Sequence, residues 1–144
     1  MSSDDAEFLR LFQTRQLPFD QWTHRAHVKI AYLYLCQFPF SRAISELGPA
    51  IQRYNAANKV PESQTSGYNQ TTTHALLQII AAVMRAYAKA FPVETADQFC
   101  DAHPELMSKH ILRLFYSPQR RMDPRAKTEF VEPDLAPLPR ILEE

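Results

Sequence analysis

Glycine is nearly missing from this chain: Gly48 and Gly67 are the two among 144 residues. With so few, no glycine-rich phosphate loop can be drawn, and no Asn-Gly or Asp-Gly pair offers a hairpin turn. Cysteine is as scarce. Cys36 and Cys100 are too few and too far apart for a disulfide framework or a zinc knuckle, and read as reduced thiols. Net charge is absent too, with 16 basic and 16 acidic residues. A neutral chain lacks the cationic surface that non-specific nucleic-acid binding and electrostatic membrane attachment require. The same neutrality supplies little colloidal repulsion, which permits a homo-oligomer. No long apolar run occurs: the most apolar stretch, Ala75 to Ala88, is interrupted by Gln78 and Arg85 and is too short to span a bilayer. Met1-Ser2-Ser3-Asp4-Asp5 is acidic where a secretory signal needs a basic start. The expected setting is cytoplasmic. No serine-nucleophile elbow, HExxH or Cys-His nucleophile pattern is present.

What remains is ordinary globular composition, 45% hydrophobic and 22% charged, at the usual size for one domain. Apolar residues recur at helical spacing, and the eleven prolines fall mostly where helices begin or end. The pattern predicts an all-α, single-domain bundle of about five to seven helices.

The first helix is expected over about Asp4 to Thr14, with Asp4 and Glu7 as a capping pair. The second is expected over about Trp22 to Gln37. The third runs over about Ser41 to Asn58 with a kink at Gly48-Pro49. Residues 59–67 read as a polar, mobile loop. The fourth helix is expected over about Asn69 to Phe91. Thr95-Ala96-Asp97-Gln98 is a capping box that opens a short fifth helix. A further helix is expected over about Pro104 to Tyr116. Ser117-Pro118 and Asp123-Pro124 each place a cap residue before a proline at the first helical position. From Val131 to the end the prolines impose an extended C-terminal strap over 131–144.

Projecting the second and fourth helices at 100° per residue locates their buried polar groups. On the second, Arg25, Lys29, Tyr32 and Cys36 form the wet stripe. His27, Ile30, Ala31 and Tyr34 face the other way, with His24 on the flank one turn earlier. On the fourth, His74, Gln78, Arg85 and Lys89 form the polar stripe. Asn69, Thr73, Leu76, Ile80, Val83 and Tyr87 oppose them. The inward set, His24, His27, Asn69 and Thr73, then shares one site near Tyr34 or Tyr68. Unpartnered, each buried polar group costs about 1–3 kcal/mol, so the set must bond internally, to water or to a ligand.

Four stretches carry a family resemblance: Thr23-His24-Arg25-Ala26-His27, Gly67-Tyr68-Asn69-Gln70-Thr71, Leu114-Phe115-Tyr116-Ser117-Pro118-Gln119-Arg120, and Phe130-Val131-Glu132-Pro133-Asp134-Leu135. In these the chain resembles a family of small, largely uncharacterised helical proteins of bacteria and fungi. Its members commonly read Tyr-His-x-Thr where this chain has Tyr68-Asn69-Gln70-Thr71. The resemblance implies a third histidine at position 69, facing His27, and with it a metal site or an acid/base cluster. Asn69 departs from that pattern and is a weak metal ligand.

The reading that follows is a small-molecule enzyme, or an inactive relative of one, centred on His24 and His27. Two imidazoles at i and i+3 are a candidate metal pair for iron, copper or zinc, completed by Asn69, Glu132, Asp134 or water. Without metal, one imidazole is a general base near working pH. Tyr116 is the expected hydrogen-bond donor, and Arg120 with Arg121 the expected hold on an anionic substrate. The competing reading for His27 is a core histidine bonded to Asn69 and a tyrosine. The competing function is a non-catalytic ligand-binding or interaction module, with Phe38, Phe40 and Phe91 lining a groove or a dimer seam. Thr71-Thr72-Thr73 reads as a helix first turn, His103 as a turn residue, and His110 as exposed.

Overall fold

The computed structural model describes residues 1–141, and seven α-helices and no strands are found among them. The helices are α1 (Ser3–Gln13), α2 (His24–Gln37), α3 (Phe40–Ala57), α4 (Gln70–Tyr87), α5 (Ala96–Ala102), α6 (Pro118–Arg121) and α7 (Pro124–Thr128). None of the described helices is long and apolar enough to cross a membrane.

Local chemistry fixes most ends. Thr23 caps α2 by accepting from the Ala26 amide at 3.2 Å, so Trp22 stays in the preceding turn. Thr95 caps α5, and Ser117 and Asp123 cap α6 and α7 ahead of their prolines. Two caps differ from expectation. Ser2, rather than Asp4, caps α1 through the Asp5 amide. Asn69 stands outside α4 as its cap, accepting from the Thr72 amide at 2.9 Å. Helix α3 runs through Pro49 as one helix; the proline ring stays exposed. The end of α4 comes at Tyr87, short of Phe91.

The helix expected over 104–116 is not formed. Two 3₁₀ turns, Pro104–Met107 and Ile111–Leu114, take its place. Between them Ser108 is extended and its hydroxyl accepts from the His110 amide at 3.2 Å, a local bond that competes with helix propagation.

Helix α2 is central, packing on α3, α4 and α5. Its buried residues run all round: Ala26, Val28, Ile30, Ala31, Tyr32, Leu33 and Tyr34. The stripe expected to be wet is therefore partly covered: Tyr32 is buried, Arg25 and Lys29 are half-buried, and Cys36 stays exposed. Tyr32 stacks on Phe99 of α5, while Arg25 and Lys29 pair with Asp97, and Arg25 also with Asp101. A buried carboxylate the pattern did not mark, Asp5, accepts from the Ala96 amide and ties α1 to the start of α5.

The C-terminal strap covers the fourth helix where a solvent face was expected. His74 stacks on Phe130 with ring centroids 3.7 Å apart, and Gln78 donates to the Pro139 carbonyl. Thr71 anchors the strap's first residues, donating to the Glu129 carbonyl and accepting from the Val131 amide. The expected strap extends to 144; residues 142–144 lie outside the described part.

The loop before α4 is tethered rather than free. Lys127 of α7 donates to the Ser66 and Tyr68 carbonyls and pairs with Glu62. Gly67 takes a φ of +88°, which allows the chain to turn back toward α4.

Candidate functional site

A cavity of about 740 Å³ lies between α2, α3, the start of α4, the tethered loop and the segment from Leu112 to α7. Its wall includes His27, Asn69, Thr73 and Tyr116 of the expected site. His24 and Arg120 are not part of that wall.

His27 carries the most defined chemistry. Its Nδ1 lies 2.7 Å from the carbonyl oxygen of Thr23. A carbonyl only accepts, so Nδ1 holds the proton and the unprotonated lone pair is on Nε2. Nε2 has no hydrogen-bond partner among the described residues, and no enclosed side-chain nitrogen or oxygen there lacks one. Nε2 is therefore accessible rather than enclosed, and His27 is one of the residues lining the cavity. The ring packs on Trp22 at a centroid distance of 3.9 Å, and Trp22 in turn stacks on Phe12. Burial pushes the His27 pKa below its ordinary value, partly opposed by the Thr23 bond and aided by nearby His24. The ring is thus held neutral, in one tautomer and one orientation.

His24 is turned elsewhere. Its Nε2 donates to the Leu106 carbonyl at 2.8 Å, pinning the 104–107 turn to α2. Asn69 lines the same cavity but forms no hydrogen bond with His27; its Oδ1 is the α4 cap. No group of three or more histidine, cysteine, aspartate or glutamate residues arranged to hold a metal ion occurs among the described residues. Asp134, one of the expected additional ligands, instead accepts from the Ser117 amide and hydroxyl. Arg125 pairs with Asp123.

Tyr116 lines the cavity but does not offer it a hydroxyl. Its O–H donates to the Val131 carbonyl at 2.7 Å, and burial first, with nearby Glu132, pushes its pKa up to about 12. Tyr68 is bound similarly, donating to Gln70 Oε1 at 2.7 Å close to the α-carbon of Gly48.

Several wall residues were not marked by the sequence pattern: Asn55, Gln64, Arg113 and Lys127. They arrive from four separate segments, and no single helical projection contains them. His103 was also underestimated. It is buried, ringed by Tyr87, Phe91 and Phe99, with Nδ1 3.0 Å from Glu105. Phe91 therefore does not join Phe38 and Phe40. Those two line a separate depression of about 370 Å³ with Leu35 and Met84.

Comparison with known proteins returned no matching family model, curated protein or solved structure.

Proposed function

We propose that the chain binds a small organic molecule in the large cavity and that His27 Nε2 is the acid/base group acting on it. The observation that carries this reading is the Thr23–His27 bond, which leaves a neutral, oriented and unpartnered imidazole nitrogen on the cavity wall. A general base needs that combination: reach, a free lone pair and a pKa at or below working pH. The cavity volume lies in the range of small-molecule sites, roughly 300–1,000 Å³.

This is a metal-free reading, because His24 Nε2, Asn69 and Asp134 already have other partners. The likeness to the uncharacterised helical family adds the expectation that relatives carry a histidine at position 69. On that expectation, this chain works with one fewer ionisable group. A cytosolic setting suits its two free thiols. A second reading, a ligand-binding module without turnover, is favoured by the bound state of Tyr116, which leaves His27 without an adjacent donor tyrosine.

The test is turnover of a panel of small esters, amides and carboxylates, followed by proton NMR. Consumption of a panel compound by the wild type should vanish in His27→Ala and persist in His24→Ala. Undiminished turnover in His27→Ala contradicts the catalytic role. Binding without any turnover supports the module.

A further inference from the structure

The chain has no net charge, yet the cavity's charged wall residues are all of one sign: Arg113, Arg121 and Lys127. No carboxylate is among the described lining residues. Lys127 is neutralised, since it pairs with Glu62 and donates to two carbonyls. Arg113 and Arg121 are different. Neither guanidinium forms an ion pair or a side-chain hydrogen bond with a described residue, so on this wall their charge is not matched as that of Lys127 is. The two act on one region: both depress the pKa of exposed His110, Arg113 most strongly, with Lys109 adding to the same field.

Apolar surface accompanies this uncompensated charge. Met122 and Leu135 line the cavity while 50% and 59% exposed, and Leu114, next to Arg113, is 69% exposed. Deeper in, the wall is formed by buried Ile51, Leu112 and Tyr116. An apolar interior leading to an apolar rim with two guanidiniums unpaired among the described residues matches a ligand with the same division. Guanidinium groups bind carboxylate and phosphate through paired N–H donors, and do so more strongly near low-dielectric walls.

We infer that the cavity takes an amphipathic organic anion, its apolar body inside and its acidic head held at the rim by Arg113 and Arg121. This rests on the reading of the cavity as the ligand site. It adds the ligand's class and the two residues that select it.

Three probes of one shape test it: 1-naphthoate, 1-naphthyl phosphate and neutral 1-naphthamide, titrated by calorimetry with the His27 ring signals followed by NMR. At least one anion should bind about tenfold or more tightly than the amide, the margin expected for charge-assisted hydrogen bonds. The tighter of the two identifies the head group as carboxylate or phosphate. In the Arg113→Gln/Arg121→Gln variant that preference should disappear while amide affinity is retained. Both arginines are exposed, so the variant should fold. If the amide binds the wild type as tightly as either anion and moves the His27 signals, the anion class is overturned and the cavity reading survives. If none of the three binds or moves His27, both fail.

Discussion

His27 Nδ1 donates to the carbonyl of Thr23, the residue that caps the helix carrying it, across 2.7 Å. One residue thus does two jobs through different atoms. The Thr23 hydroxyl receives the Ala26 amide and fixes where α2 starts. Its carbonyl fixes which nitrogen of His27 carries the proton. The site's base is therefore oriented by the same residue that caps the central helix.

The depressed pKa of His27 has a consequence for stability. Burial is the main cause, and His74 is lowered by burial in the same way beneath Phe130. A histidine depressed in the folded state binds fewer protons than in the unfolded chain between its folded pKa and about 6.5. Stability is therefore fully present above about pH 6.5 and is lost as pH falls through that window. The urea midpoint should drop between about pH 7 and pH 5, and less steeply in His74→Gln. An equal slope in that variant would contradict the assignment for His74.

Thr71 should prove the strap's anchor. Thr71→Val keeps the shape but removes both the donor to Glu129 and the acceptor for the buried Val131 amide. The expected cost is about 1–3 kcal/mol in urea unfolding. Faster hydrogen exchange should appear at Val131 first, before the amides of α2.

Gly48 is required by a neighbour rather than by its backbone angles. A β-carbon there would lie 2.7 Å from the Tyr68 hydroxyl oxygen. Gly48→Ala should cost about 1–3 kcal/mol through overpacking. Adding Tyr68→Phe should recover part of that loss, and a double-mutant cycle measures how much. Strict additivity would mean the two residues do not meet.

His24 and His27 should separate experimentally. His24→Ala loses the bond to the Leu106 carbonyl, a stability effect of about 0.5–1.5 kcal/mol. It should leave the His27 tautomer unchanged. His27→Ala should leave the 104–107 turn in place while removing the cavity's imidazole, which amide chemical shifts of Leu106 will register.

The helices were legible because their signals are local. Thr95, Ser117 and Asp123 cap helices from within a few residues, and the prolines stop them. The region 104–116 was not, since its composition suits a helix and the local Ser108 hydroxyl turn between its two 3₁₀ turns leaves no mark in the apolar spacing. Projection also assumed that a charged stripe faces water. Arg25 and Lys29 instead meet Asp97 and Asp101 on a helix some seventy residues later, and His74 lies under a strap that arrives from Phe130. Of the expected site, His27, Asn69, Thr73 and Tyr116 do reach one cavity. Their roles were not readable: the projection put Asn69 inside α4 although its side chain caps that helix locally through the Thr72 amide, and Tyr116 bonds to the Val131 carbonyl, which only the folded chain brings near. Arg113 sits in a 3₁₀ turn and its place on the wall depends on long-range packing alone.

The central claim is that His27 presents an unprotonated Nε2 to the cavity. The most direct measurement is a long-range proton–nitrogen spectrum of the histidine rings at neutral pH, assigned with His27→Ala and His24→Ala. The account predicts that His27 is neutral, protonated at Nδ1 and bare at Nε2, and that His24 carries its proton on Nε2. A His27 ring that is protonated at Nε2, or charged at neutral pH, would contradict it.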